Sequence, residues 1–146
     1  MTDMGGQIGS TSTPEAVEAF MVRFESCSVT REEWTHLAHL TAGYWYVRKF
    51  GATRALDEMR ARIRRHNESV GTANTDSSGY HETITCLYLA AIAEHLDAHQ
   101  GVGFSDGLRM LLESGLASSQ WPLQFYSRER LFSAEARRSW VEPSRL

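Results

Sequence analysis

Residues 30 to 51, TREEWTHLAHLTAGYWYVRKFG, leave few options for how this chain folds. Trp34, Leu37, Leu40, Tyr44, Trp45 and Tyr46 fall on nearly every side of a 3.6-residue period rather than along one stripe. A helix of that kind needs neighbours on several sides, so this segment is expected to be a central helix. Thr30 and Glu33 read as a T-x-x-E capping box that starts it, and Gly51 as the residue that stops it.

The flanking segments supply the neighbours. Thr13-Pro14-Glu15 has the chemistry of a helix start, and Val17, Phe20, Met21 and Phe24 follow it as an apolar stripe. TRALDEMRARIRRHN predicts a third helix, with Leu56, Met59 and Ile63 inward and its arginines on a wet face. His66 is the next position on the apolar stripe. A fourth helix is expected from about Tyr80 through LYLAAIAEHLDAH, and a fifth, FSDGLRMLLESGL, after Gly103. The third and fourth are separated by the polar loop ESVGTANTDSSG, which is longer than a helix connection requires. The tail WPLQFYSRERLFSAEARRSWVEPSRL carries aromatic anchors and about two short helical turns. No stretch alternates like a strand. The expected fold is all-α: a single-domain bundle of about five main helices over residues 13–146, preceded by a disordered Gly/Ser/Thr-rich segment over residues 1–12.

Composition sets further bounds. A net charge of −3 over 146 residues gives no basic excess for nucleic acid. No apolar run is long enough to span a bilayer, and MTDMGGQIGSTST lacks the pattern of a secretory signal. Cys27 and Cys86 fall in apolar contexts and read as buried free thiols. A cytoplasmic protein is expected, with no membrane or nucleic-acid partner. The tail aromatics Trp121, Phe125, Tyr126 and Trp140 pack either on the domain or on a second copy, which leaves a homo-oligomer open.

The chemistry concentrates around GYHETIT, residues 79 to 85. His36 and His39 share a helix face, with Glu32 one turn earlier, and His66, His81 and Glu82 come from other segments. Helical spacings that converge inside a bundle are how such folds build metal sites, and imidazole with carboxylate suits Zn, Fe, Mn or Ni. The favoured set is His36, His39 and His81 as ligands, with His81 and Glu82 as the catalytic pair and Glu82 as acid/base. Plain structural roles compete with each of these. Glu82 can be a helix-dipole partner, His66 a hydrogen-bonded core residue, and Gly79, Asn67, Asn74 and Thr75 turn formers. His95 and His99 read as solvated. Trp34, Tyr44, Trp45 and Tyr80 are the expected pocket walls, although such aromatics are more often core.

EEWTHLAHLTAGYWYV, RIRRHNESVGTANTDSSGYHETIT and YSRERLFSAEARRSWVEP resemble a family of small bacterial proteins over residues 30 to 143. The resemblance carries no named reaction. It implies that these blocks work as one unit, and so adds Asn67, Asn74, Tyr80, Tyr126, Ser127 and Arg130 to the pocket.

The leading expectation is therefore a small-molecule enzyme with a His/Glu site, metal-dependent, of hydrolase or oxygenase type. The alternatives are a metal-free His/Glu acid–base catalyst (isomerase, lyase or cyclase) and a ligand-binding helical module without turnover.

Overall fold

The computed structural model describes residues 12–144, and every regular element among them is helical. Helix α1 spans Pro14–Glu25, α2 His36–Phe50, α3 Ala52–Ser69, α4 Glu82–Ala98 and α5 Phe104–Leu112. Two 3₁₀ turns, Gly115–Ala117 and Trp121–Gln124, lead into the short helices α6 (Arg128–Leu131) and α7 (Ala134–Arg138). The expected disordered segment lies outside the described residues apart from Ser12.

Most of the helices start on a side-chain cap. Thr13 accepts a hydrogen bond from the Ala16 N–H, and Pro14 takes the first helical position, where a missing N–H costs nothing. The α1 stripe of Val17, Phe20, Met21 and Phe24 is buried. α2 is the central element: it packs on α1, α3, α4 and α5, and Ala38, Leu40, Ala42, Tyr44 and Tyr46 are essentially inaccessible to solvent. α2, α3 and α4 pack mutually, with α1 and α5 outside them. Gly43 permits this, because a Cβ there would stand 2.8 Å from Ile92 Cδ1 on α4.

The start of α2 differs from expectation. The Thr30–Glu33 box does form: the Glu33 N–H donates to Thr30 Oγ1 at 3.2 Å, and Glu33 Oε1 accepts from the Thr30 N–H at 2.9 Å. It closes only one turn. The Glu33 carboxylate is also drawn to Arg23 at 2.6 Å, which anchors that turn to α1. The helix begins five residues later, where Thr35 caps it by accepting from the Ala38 N–H. Glu32 therefore lies outside the helix, exposed, and does not continue the His36/His39 stripe.

The tail is more ordered than expected. Tyr126, Leu131, Ala136 and Val141 form a second small core against Ile84 and Leu87 of α4. Tyr126 is fully buried and donates to the Val141 carbonyl at 2.7 Å. Trp121 contacts Tyr88 with ring centroids 5.2 Å apart. These two tail aromatics are packed on the domain itself. No described helix is long and apolar enough to cross a membrane.

If Thr35 rather than Thr30 starts α2, Thr35→Ala removes a helix cap and lowers unfolding free energy by about 1 kcal/mol, read by urea denaturation. Helical content at low denaturant stays unchanged. A loss under ~0.3 kcal/mol would contradict the assignment.

Candidate functional site

The GYHET segment lies where α3, the polar loop, α4 and the tail meet. Gly79 has φ +80°, and a Cβ there would stand 2.5 Å from the Ala73 carbonyl oxygen and 2.6 Å from Asn74 Oδ1, so glycine is required. Asn74 stitches the loop. Its Oδ1 accepts from Asn67 Nδ2 and from the Tyr80 N–H, both at 3.0 Å, and its Nδ2 donates to the Arg64 carbonyl. The loop is held against the site rather than hanging free.

His81 is the N-cap of α4. Its Nδ1 accepts from the Ile84 N–H at 3.1 Å, so the ring proton sits on Nε2, which donates to the Leu131 carbonyl at 2.7 Å. Both ring nitrogens are spent, and burial keeps the pKa below that of an ordinary histidine. Thr83, next but one in the motif, donates to the Ser139 carbonyl and accepts from the Val141 N–H. Each of these bonds ties the tail to the first turn of α4.

Glu82 is 7% exposed and fully engaged. Arg60 on α3 grips both carboxylate oxygens through Nε, at 3.0 and 3.1 Å, and through Nη2. The Tyr80 hydroxyl donates to Oε1 at 2.8 Å, and the Cys86 thiol contacts Oε2. Burial pushes the carboxyl up, but the Arg60 and Tyr80 hydrogen bonds outweigh it, so Glu82 is held as a carboxylate. Burial and the neighbouring carboxylate push the Cys86 thiol up to about 12, away from thiolate chemistry. Cys27 and Cys86 are both free.

The open chemistry lies beside this junction. Two adjoining cavities, of about 290 and 330 Å³, sit between α2, α3 and α4. The first has apolar walls from Leu40, Met59, Leu89 and Ile92, with His36 and Tyr88. The second is lined by Trp34, His66, Asn67, Tyr80 and His81, and reaches exposed Arg31. His39, Ile63, Ile84 and Thr85 border both.

Three histidines around these cavities share one arrangement. His36 Nε2 donates to the Leu116 carbonyl at 2.9 Å, His39 Nδ1 to the Thr35 carbonyl at 2.8 Å, and His66 Nε2 to the Val29 carbonyl at 3.0 Å. A carbonyl only accepts, so the bonded nitrogen carries the proton. In the neutral ring the other nitrogen keeps its lone pair. Burial lowers the His39 pKa to about 4, the Thr35 carbonyl opposing the shift, so this ring is neutral at physiological pH. His66 is 1% exposed, and its Nδ1 is buried with no partner. Trp34 Nε1 is likewise buried without an acceptor. Its indole stacks on Phe24 at 4.4 Å and contacts His39 at 4.0 Å and His66 at 5.2 Å. An orphaned donor and an orphaned acceptor each cost about 1–3 kcal/mol when buried.

The expected site residues thus divide. Trp34, His36, His39, His66, Asn67, Tyr80 and His81 line the two cavities. Tyr44 points instead to α5, donating to the Phe104 carbonyl at 2.9 Å. Trp45 lies in a separate groove with Glu18, Arg48, Lys49 and Phe104. Tyr126 is sealed in the tail core, and Arg130 binds the Glu142 carbonyl. Asn74 serves the loop. Among the described residues, no three His, Cys, Asp or Glu side chains stand grouped to hold a metal ion. His95 and His99, expected to be solvated, are half-buried; His95 Nε2 meets the Gly107 carbonyl at 2.9 Å and His99 Nδ1 the His95 carbonyl at 2.7 Å. Ile63, expected only as a core-stripe residue, and Ile84 and Thr85, at the end of GYHETIT but given no role of their own, form the boundary between the cavities.

The His39 shift has a thermodynamic signature. The unfolded ring binds a proton near pH 6.5 and the folded ring only near pH 4, so stability is complete above 6.5 and falls as pH drops through that window. The loss amounts to no more than about 3.5 kcal/mol. His39→Leu flattens this part of the pH–stability curve measured by chemical denaturation. An unchanged slope between pH 6.5 and 4 would show that His39 titrates normally in the fold.

Comparisons with protein-family models, with curated proteins and with solved structures find no match in any of the three, so the functional reading rests on the cavities and their histidines alone.

Proposed function

We propose that this domain binds a small, largely apolar organic molecule in the cavities between α2, α3 and α4, with His39 Nε2 accepting a hydrogen bond from it. One observation carries this reading. His39 borders both cavities, its Nδ1 is committed to Thr35, and its Nε2 has no protein partner among the described residues. The cavity volumes are at the small end of those that hold organic ligands, and mostly apolar walls with a few fixed polar groups are how such sites select one. Trp34 and His66 line the second cavity, and their unpartnered polar atoms, the Trp34 N–H and His66 Nδ1, are buried beside it.

Binding without turnover is the better reading than acid–base catalysis. A general base works best with a pKa near the operating pH, and at about 4 His39 is a weak acceptor of a full proton. Glu82 is saturated by Arg60 and Tyr80, and the His81 ring by Ile84 and Leu131.

A second reading, metal binding at His36 and His39, has its own support. Both donate one ring N–H to a backbone carbonyl and both line the first cavity, which is how metal-ligating histidines are commonly oriented. Zn, Fe, Mn or Ni held there takes further ligands from solvent or substrate, and would supply the hydrolase or oxygenase chemistry. For His81 to join as a third ligand it must release the Ile84 N–H or the Leu131 carbonyl.

Titration calorimetry with p-cresol and toluene tests the main reading. Both are expected to bind wild type, and His39→Leu weakens p-cresol about fivefold while leaving toluene nearly unchanged. No heat from either ligand, or equal loss for both, would sink it. In parallel, elemental analysis after growth in metal-replete medium decides the second reading. It predicts one ion per chain, lost in His36→Ala/His39→Ala.

A further inference from the structure

On the outer side of Tyr80, away from the two cavities, a small pocket of about 120 Å³ is walled by Arg64, Arg137, Arg138, Thr75, Asp76 and Tyr80. We propose that it is a binding site for a phosphate group, as inorganic phosphate or a phosphate monoester.

The charges are unbalanced. Three guanidiniums face one carboxylate, and that carboxylate, Asp76, is only loosely held by Arg138 at 3.5 Å between two exposed side chains. Two positive charges therefore remain uncompensated in a chain whose net charge is −3. Arg64 forms no ion pair among the described residues; its guanidinium lies over the Tyr80 ring at 4.7 Å, which fixes the plane of its donors. A dianion matches the excess of two.

Arg137 is the firmest evidence. Its Nη1 donates to the Gly79 carbonyl at 2.8 Å and lies 3.5 Å from the Tyr80 carbonyl, and no carboxylate pairs with it among the described residues. Its Nε is buried with no acceptor. Burial without a counter-ion also lowers its pKa, opposite to the effect carboxylates have on Arg60 and Arg23. A cation placed this way lacks an anion.

The remaining donors suit phosphate. Thr75 Oγ1 accepts from the Ser77 N–H at 3.2 Å, which leaves its hydroxyl proton free to donate. The Arg64 and Arg138 guanidiniums, the remaining Nη2 of Arg137 and a hydroxyl around a small pocket are the donor types that phosphate recognition uses. The site stands on three segments: α3 gives Arg64, the loop gives Thr75 and Asp76, and the end of α7 gives Arg137 and Arg138. A bound anion would clamp the loop onto α3 and the tail.

Titration calorimetry and thermal melts with phosphate and phenyl phosphate, each against acetate at matched ionic strength, test this. Wild type is expected to bind phosphate selectively. Arg64→Ala and Arg138→Ala each weaken binding about tenfold, whereas Asp76→Asn tightens it severalfold by removing the competing carboxylate. Arg64 and Arg138 are exposed, so these variants are expected to fold; Arg137→Ala also removes the Gly79 anchor and is less informative. Phenyl phosphate binding as tightly as phosphate assigns a monoester, and its failure beside bound phosphate assigns the free ion. Phosphate no better than acetate overturns the proposal, as does selective binding that survives both arginine variants.

Discussion

The N-terminus of α4 is the point on which the rest of this structure depends. A helix start leaves N–H groups without partners, and here the partner is an imidazole rather than the usual hydroxyl or carboxylate. That choice has consequences. Because His81 Nδ1 must accept from Ile84, the ring proton is confined to Nε2, and that proton needs an acceptor inside the protein. The Leu131 carbonyl supplies it, 50 residues away in sequence. A single cap therefore fixes a tautomer and docks the tail. Thr83 and Arg137 reinforce the junction from either side, through Ser139, Val141 and Gly79.

The same first turn carries a buried carboxylate. Glu82 sits where the positive end of α4 favours negative charge, but the helix alone does not offset the cost of burying it. Arg60 and Tyr80 complete its hydrogen bonding and draw α3 onto α4. Removing Arg60 would leave the carboxylate without its counter-charge in a poorly solvated place, at a cost below the ~3–5 kcal/mol of a fully buried pair because the guanidinium is partly exposed. Removing the Tyr80 hydroxyl loses one hydrogen bond, about 1 kcal/mol. The residues most suggestive of catalysis are thus used to assemble the junction. What they assemble is the space beside it, where His36, His39 and His66 each hold one nitrogen to the backbone and keep the other for something else.

Much of the fold is legible in the chain. The all-round apolarity of residues 34 to 46 marks the central helix, α1 follows from its Thr13 cap and apolar stripe, and α3 and α5 follow from their apolar stripes. The start of α2 escapes such reading because Thr30–Glu33 is a true capping box attached to a turn, and local chemistry cannot say whether a helix continues past it. The order of the tail is hidden because its core is made of isolated residues, Tyr126, Leu131, Ala136 and Val141, that meet only in three dimensions. For the candidate site, composition draws attention to GYHET, since His and Glu beside a polar loop suggest chemistry. Nothing in that string reveals that Leu131 and Arg60 consume those side chains. Conversely, the H-x-x-H spacing draws attention to His39 as a ligand, but which of its nitrogens stays free depends on the Thr35 carbonyl one turn back.

The central claim is that His81 is a structural cap and His39 the available imidazole. Long-range ¹H–¹⁵N spectra of the histidine rings across pH test it most directly. The account predicts the Nε2–H tautomer at His81 without titration through pH 6.5, and the Nδ1–H tautomer at His39 with protonation only near pH 4. A His81 ring that titrates near 6.5 like a free side chain, or a His39 ring protonated at Nε2 in its neutral form, would contradict it.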